Sequence, residues 1–313
     1  MTRWKFLLRR LGQAVLTLWA VTLLTFLLFK ALPGSVAVGM LGIRAGQEDI
    51  ARINQELGLD QPVWVQYAKY MGNVLHGDFG TSITYARPAM DVILTALPTT
   101  IFLAVYAVLL TAVATVVLAV LAALRRDKLA DHIIRGVPVI GLGMPAFWVG
   151  TMLLFFFAYK LPIFPAGGLL PGFSGHVKSL FLPAATLAVL FTAVLVRSLR
   201  ASLLEVLDSD YVLAARSKGL VGGRLIVRHV LPNAILPTVT LLGLVFAGLL
   251  GGALIVESVF ALPGLGSLLI TGFQRHDFAL VQGVILLSAA AILIVNILID
   301  VLYSAIDPRV GLG

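Results

Sequence analysis

Six long apolar stretches dominate the pattern of the chain. They contain no charged residue and cover residues 11–29, 97–124, 136–159, 179–196, 231–256 and 280–299. A helix needs about 20 apolar residues to cross a hydrocarbon layer of roughly 30 Å, and its backbone groups then satisfy one another. Because the apolar residues run continuously instead of alternating, helices are favoured over barrel strands. The pattern predicts an all-α membrane protein with six transmembrane helices.

The composition supports the membrane class. Hydrophobic residues make up 59% of the 313 and charged residues only 12%, with a mean hydropathy of +1.01. Soluble domains carry about 25% charged residues. The net charge of +8 would suggest nucleic acid in a soluble protein, but Lys and Arg accumulate in the cytoplasmic loops of membrane proteins, so we expect no nucleic-acid partner. The absence of cysteine excludes disulfides and thiol catalysis.

The distribution of basic residues predicts the orientation. Roughly two thirds of the 23 Lys and Arg residues lie in the N-terminal segment, the loops after the second and fourth stretches, and the tail. These segments are shorter than the remaining loops, so both termini are predicted to be cytoplasmic. The first stretch, residues 11–29, is longer than a signal-peptide core of about 7–15 residues. We therefore expect an uncleaved transmembrane helix there.

The largest outward loop, residues 31–96, has two helical patterns. The first is carried by apolar residues at helical spacing, Ile50, Ile53 and Leu57. The second follows Pro62, a good first helical residue, and places one face on Trp64, Tyr67, Met71 and Val74. Two short amphipathic helices are predicted. They could form a cap that packs on the bundle or lies in the lipid interface, or a landing surface for an external partner.

The loop at residues 257–279 contains a turn with apolar residues on both sides, Leu262-Pro263-Gly264-Leu265-Gly266. This character indicates a re-entrant or bundle-packed segment. At its start, Glu257 is a possible pathway or gate residue, although an interfacial carboxylate at the end of a span is the favoured interpretation. Prolines within the stretches could kink them, but ordinary bundle packing is favoured; examples are Pro138, Pro145, Pro183 and Pro237.

The polar segment between the fourth and fifth stretches predicts a short helix. Asp208, Ser209 and Asp210 are good N-cap residues, and Gly219 is a plausible stop. Residues at i, i+3, i+4, i+7 and i+8 share one face of small side chains, namely Tyr211, Ala214, Ala215, Lys218 and Gly219. Such a helix is too short to be stable alone in water. Two uses remain open: a docking surface for a soluble partner, or a solvated connector.

Several function classes lack their expected signals. No Gly-x4-Gly-Lys-Ser/Thr motif is present, so energy would have to come from a partner or an ion gradient. An ion-coupled secondary transporter would be expected to show buried charge or a broken helix pair within the spans. An intramembrane enzyme would need a nucleophile and base, or a metal set, at membrane depth. We predict no catalytic, cofactor or metal site in this chain.

The segment after the fourth stretch resembles a known motif. Ala214-Ala215, then Gly219, then Leu231-Pro232 resemble the EAA loop of the permease subunits of binding-protein-dependent ABC importers. Leu213 stands where the family usually has Glu, and His229 where it usually has Ile. The resemblance therefore departs from the general pattern at two positions.

One branch, the dipeptide/oligopeptide/nickel permeases, matches more closely. Its pattern Asp-Tyr-Val, two residues, Ala-Arg-Ala-Lys-Gly-Leu is met by residues 210–220, with Ser217 in place of one Ala. Landmarks of the same branch recur along the chain as Leu32-Pro33-Gly34, Gly77-Asp78-Phe79-Gly80, Glu257-Ser258-Val259-Phe260, Pro263-Gly264-Leu265-Gly266 and Asp307-Pro308-Arg309. The chain is identified as a member of this family along its whole length.

The resemblance implies the type I ABC importer permease fold. Residues 1–30 would hold the N-terminal tail and a peripheral first helix, 31–96 the extracytoplasmic loop, and 97–313 the five-helix core. The segment near 209–220 would be the coupling helix that docks to an ATPase, through Asp210, Tyr211, Ala214, Ala215, Arg216, Lys218, Gly219 and Leu220.

The implied assembly contains several other parts. They are a homologous second permease of different sequence, two ATPase subunits that bind ATP and Mg, and an extracytoplasmic solute-binding protein. The chain itself would be a non-catalytic, multi-pass subunit of a bacterial or archaeal inner membrane, in contact with lipid. The implied cargo is di- or oligopeptides; nickel chelates, glutathione or another small solute are the alternatives.

Overall fold

The computed structural model describes residues 3–31, 46, 48–49, 51–52, 55, 58 and 60–306. By its internal contacts the chain forms two compact units, one of Met1–Thr100 with Pro263–Gly313 and one of Ile101–Leu262. The predicted helix at Ile50, Ile53 and Leu57 and the landmarks 32–34 and 307–309 lie outside the described residues.

The regular secondary structure of the described residues is helical apart from one small hairpin. The helices are α1 (Arg3–Ala31), α2 (Val63–Leu75), α3 (Ala89–Leu124), α4 (Leu129–Leu142), α5 (Ala146–Leu154), α6 (Gly172–Leu207), α7 (Asp210–Ser217), α8 (Gly222–Leu225), α9 (Leu231–Ala234), α10 (Leu236–Val259), α11 (Leu265–Gln274) and α12 (Phe278–Ile306). Two π-helical segments, Phe155–Lys160 and Ile226–Val230, follow α5 and α8. The strands β1 (Thr81–Ser82) and β2 (Arg87–Pro88) pair antiparallel.

Four of the six predicted transmembrane helices are present as long apolar helices. They are Leu8–Ala31, Ala89–Leu124, Gly172–Leu207 and Phe278–Ile299. Two bent helix pairs bring the number of candidate spans in the described residues to six if each pair counts as one span. The prediction of an all-α membrane protein is confirmed.

The third predicted span, residues 136–159, is not one continuous helix. Leu129–Gly141 and Ala146–Lys160 meet at an angle of 108°. Pro145 has φ −61° and ψ 140°, outside the helical region, and a proline also disfavours helical geometry in the residue before it. The expectation that Pro145 is absorbed by ordinary packing is therefore wrong.

The fifth predicted span, residues 231–256, is also broken. Gly222–Ala234 and Leu236–Gly243 are bent by 54°. Pro237 has no N–H to donate to the carbonyl of Asn233, so the helical ladder is interrupted beside Ile235. Pro138 and Pro183, by contrast, lie inside α4 and α6.

The unit Ile101–Leu262 has two buried cores. One lies where α3, α6 and α10 meet and includes Leu103, Leu187 and Leu249. Gly150 of α5 allows close approach there, because a Cβ at this position would lie 3.1 Å from Cε2 of Phe260. The second core combines residues of α3, α6, α7 and the segment 225–234, and lies beneath the short helix α7; its buried members include Ala119, Leu199, Val212, Leu225 and Val230.

The other unit contains a tight cluster around α11 and α12. Ile93, Leu268 and Leu280 are buried together. Gly283 allows close packing, since a Cβ there would lie 2.5 Å from Cδ1 of the buried Ile93, which would have to shift. Leu265 and neighbouring residues of α11 are buried, which confirms the prediction that the 257–279 region contains a bundle-packed segment.

A buried carboxylate fixes the hairpin to the start of α12. Asp277 is fully buried and accepts hydrogen bonds from the Ser82 hydroxyl and the Thr84 N–H, the latter at 3.0 Å. Its other oxygen accepts from the N–H of Leu280 at 3.2 Å, as an N-cap residue does. The side chain thus holds the hairpin and caps the helix at once.

Candidate docking surface

The short helix α7 begins as the sequence predicts. Ser209 is the N-cap, with φ −78° and ψ 150°, and Asp210 places a negative charge in the first turn. The Ser209 hydroxyl does not cap α7, because it donates to the carbonyl of Val206 at 2.5 Å. The start of α7 is therefore tied back to the end of α6.

Gly219 ends the helix as predicted. Its φ of +84° is in the left-handed region, where glycine is favoured. The Leu220 N–H donates to the carbonyl of Ala215 at 3.2 Å and the Gly219 N–H to that of Arg216 at 2.9 Å. These two bonds form a Schellman motif, which satisfies the last carbonyls of the helix.

The predicted contact face of α7 is only partly free. Val212 is fully buried in the core, and Ala215 and Leu220 pack partly against it. The exposed members of the predicted set are Asp210, Tyr211, Ala214, Arg216, Lys218 and Gly219. The exposed side of α7 is therefore not centred on Ala215, which is partly buried. It includes Leu213, which is 51% exposed.

Sequence reasoning missed Val212 and Leu213. Val212 lies three residues before Ala215, so the two share a helical face, and this i, i+3 pair was the signal for the buried side. Leu213 is the residue that departs from the family pattern. An apolar side chain left half in solvent on a helix of two turns is a candidate contact for a partner.

The exposed Tyr211 connects α7 to the segment after α8. Its hydroxyl donates to the backbone carbonyl of His229 at 3.4 Å. The Asn233 amide donates to the same carbonyl at 2.8 Å. The two regions of the EAA-like motif, separated in sequence, thus meet at one backbone oxygen.

A buried ion cluster supports the same end of the bundle. Asp131 is fully buried near the start of α4, and its carboxylate accepts two hydrogen bonds from the guanidinium of Arg200 in α6, at 2.7 and 2.5 Å. Arg135 approaches the same carboxylate at 3.5 Å, and the Asp127 N–H donates to it at 3.0 Å. The pair fastens α4 to the part of α6 that leads into α7.

Glu257 lies at the end of its helix, as expected, but its side chain is fully buried instead of lying at a solvated interface. Its carbonyl accepts the Leu262 N–H at 2.9 Å, in a second Schellman motif whose left-handed residue is Ala261, with φ +49°.

Buried carboxylates and broken helix pairs are the features that a secondary transporter was expected to show. Both occur, in Asp131 and Glu257 and in the two bent pairs. Within the described residues, these features therefore do not separate the two classes of transporter. Comparison with known proteins distinguishes an ABC importer permease from a secondary transporter.

The family described as "Binding-protein-dependent transport system inner membrane component" matches residues 115–312. Its N-terminal companion, described as "Binding-prot-dependent transport system membrane comp, N-term", matches residues 3–104.

Two solved structures share the fold. The MetNI methionine ABC transporter in inward-facing conformations aligns with a TM-score of 0.58 at 16% identity, over 70% of this chain and 97% of that one. An amino acid ABC transporter with histidines aligns with a TM-score of 0.50 at 18% identity, over 70% and 94%.

Curated relatives match from end to end. The probable D,D-dipeptide transport system permease protein DdpB of Escherichia coli K12 is 36% identical over 100% of this chain and 99% of its own. The dipeptide transport system permease protein DppB of the same strain is 37% identical over 98% of both chains. A putative peptide transport system permease protein of Brucella abortus is 38% identical over 97% and 98%. The chain belongs to the inner-membrane permease components of binding-protein-dependent ABC transport systems.

Proposed function

We propose that the chain imports di- or oligopeptides as one of two permeases that together enclose the translocation pathway. The assignment of peptides as the cargo is supported by the end-to-end similarity to relatives named for dipeptide and peptide transport. A solute-binding protein would deliver the peptide, and two ATPase subunits would bind ATP and Mg²⁺.

The proposed ATPase contact is the exposed side of α7. Tyr211 and Leu213 are 44% and 51% exposed, and the small Ala214 beside them lets another surface approach closely. Arg216 and Lys218 give the end of the helix a positive rim, which suits an acidic rim on the partner. We assign this surface, together with Gly219 and Leu220 at the turn, to the coupling helix.

The buried side of α7 would carry the movement into the membrane. Val212 packs in a core with Leu199 of α6 and Val230 of the segment that leads into α10. A push on α7 would therefore reach two membrane helices through close-packed side chains. Alternating access requires contacts that differ between two states, and closure of the ATPases could supply that difference.

The docking proposal is tested by adding bulk to the exposed face. In the complete importer, Ala214→Trp should reduce both co-purification of the ATPase in detergent and ATP-dependent uptake. Leu129→Trp is the control, because Leu129 is 75% exposed and is the first residue of α4, next to a segment predicted to be on the same side of the membrane. Unchanged co-purification and uptake in Ala214→Trp would refute the assignment.

The cargo is tested separately. Cells that lack their other peptide importers should take up a labelled dipeptide only when the intact chain is present with its partner subunits. Competition with excess unlabelled dipeptide, glutathione or a nickel chelate identifies the preferred class. Competition by glutathione or the chelate alone would refute peptide cargo and leave the docking result standing.

A further inference from the structure

We propose that α2 lies in the lipid–water boundary of the membrane, at the end of α1 that carries Ala31, and that Trp64, Ala68 and Leu75 contact lipid. This inference does not depend on the cargo or on the ATPase contact. It concerns where a segment of the 31–96 loop resides.

The helix α2 has two chemically distinct sides. At 3.6 residues per turn, the hydrophobic Tyr67, Tyr70, Met71 and Val74 share one face. Polar side chains occupy another face, namely Gln66, Lys69 and Asn73, and the C-cap residue is His76. A short helix with one apolar and one basic or polar face is typical of segments that lie flat in a membrane interface.

Contacts with α1 set the depth of α2. The Tyr67 hydroxyl lies 3.0 Å from the hydroxyl of Thr22, and the Tyr67 ring lies 5.3 Å from that of Phe26. Tyr70 stacks on Phe26 at 5.8 Å, and burial raises the pKa of the Tyr70 hydroxyl to about 12. Both α1 residues lie inside the apolar span Leu8–Ala31, not beyond its end.

The start of α12 gives a second depth marker. Phe29 of α1 contacts Phe278, the first residue of α12, at 5.0 Å between ring centroids. At about 1.5 Å per residue, Thr22 lies about 10 Å before Phe29 along the axis of α1, toward the middle of the span. The contact with α2 therefore lies below the level at which α1 ends and α12 begins, where the surroundings of a membrane protein are lipid.

The apolar face of α2 is wider than its contact with α1. Trp64 and Leu75 are 74% and 78% exposed, and with Ala68 they form a stripe along one flank of the contact face. Tryptophan is enriched at membrane interfaces, where its ring sits among headgroups and upper acyl chains. Lys69, on the polar side, can reach phosphate groups. This geometry favours lipid over water as the neighbour of the stripe.

The absence of cysteine from the chain allows a direct test by spin labelling. Trp64→Cys and Leu75→Cys place a nitroxide on the stripe, and Lys69→Cys and Asn73→Cys are matched controls on the opposite face of the same helix. Each labelled full-length chain is assembled with its partner subunits in phosphatidylcholine–phosphatidylglycerol vesicles. Relaxation by oxygen, which concentrates in lipid, is compared with relaxation by a water-soluble nickel chelate.

The expected result is oxygen-dominated relaxation at positions 64 and 75 and nickel-dominated relaxation at 69 and 73, with at least a severalfold difference in the ratio. Equal access of the nickel chelate to all four positions would overturn the proposal, because the stripe would then face water. Low access of both reagents at positions 64 and 75 would also overturn it, since another protein would cover the stripe. Nickel access at 64 and 75 that is lost on adding the binding protein would identify a landing surface instead.

Discussion

Removing the charge of Asp131 should strongly destabilise the protein. In Asp131→Asn, the guanidinium of Arg200 keeps its place but loses the carboxylate that holds it at two points. Asp131 is fully buried and the Arg200 side chain is only 14% exposed, so water cannot replace the lost partner well. The change leaves a positive charge near the junction of α4 and α6 without its main counter-charge.

The size of the effect follows from the geometry. At an effective dielectric constant of about 20, opposite charges about 3 Å apart attract by about 5 kcal/mol. Breaking a buried pair by removing one partner typically costs about 3–5 kcal/mol, since the remaining charge stays desolvated. The asparagine can still accept one hydrogen bond, so we expect about 3 kcal/mol, or roughly a hundredfold change in the folded-to-unfolded ratio.

The assay is equilibrium unfolding of the purified chain in mixed micelles, titrated with a denaturing detergent and followed by circular dichroism. Arg126→Gln is the matched control, because the Arg126–Asp208 pair spans 3.5 Å with side chains that are 56% and 73% exposed. Exposed pairs contribute only about 0–1 kcal/mol. The control should therefore unfold close to the original chain.

A double variant decides whether the reasoning about uncompensated charge is right. Asp131→Asn combined with Arg200→Gln removes both charges, so it should be less destabilised than the sum of the two single variants by about 1 kcal/mol or more. Strict additivity, or an Asp131→Asn loss no larger than that of Arg126→Gln, would refute the buried pair as a stabilising contact.

Three further changes test backbone and capping features. Gly219→Ala should lower the free energy of unfolding by about 1 kcal/mol, because Gly219 has a positive φ. The control Gly223→Ala lies within α8 and has open space around it, so it should not lower the free energy of unfolding. Equal effects of the two changes would contradict the role of the positive φ. Ala261→Gly should raise stability by about 0.5 kcal/mol in the same titration, and a loss would show that the left-handed Ala261 is unstrained. Asp277→Ala removes three accepted hydrogen bonds, so limited proteolysis should cut the β1–β2 hairpin faster; unchanged cleavage would contradict its anchoring role.

Continuous apolar composition revealed the long helices but concealed the breaks. Residues 136–159 are apolar throughout, so hydrophobicity alone cannot detect a bend of 108° within them. The presence of a proline does not by itself predict where an apolar stretch is bent. Pro183 is buried inside α6, which continues through it without a break. Pro145 lies just beyond Gly143, the C-cap residue of α4, where the chain bends. Whether the freed carbonyls find partners depends on neighbouring helices, which the sequence does not display.

The sequence predicted where α7 begins and ends but not which of its faces is buried. Ser209 and Gly219 are strong local signals, and both ends of α7 lie where they indicate. Two turns of helix, however, contain too few apolar residues to fix which side is buried. The core formed with α6 selects Val212, and this tertiary contact turns Ala215 partly inward and leaves Leu213 outside.

The π-helical segment Ile226–Val230 affects how the chain tolerates insertions and deletions. A π turn closes its hydrogen bond one residue later than an α turn, so it accommodates one extra residue without disturbing the helix on either side. Deleting one residue there should let the segment revert to an α turn and keep α10 in register. The same deletion inside Gly172–Leu207 would rotate every following residue of α6 by about 100°. Length variation among relatives should therefore concentrate at the first site and be absent from the second.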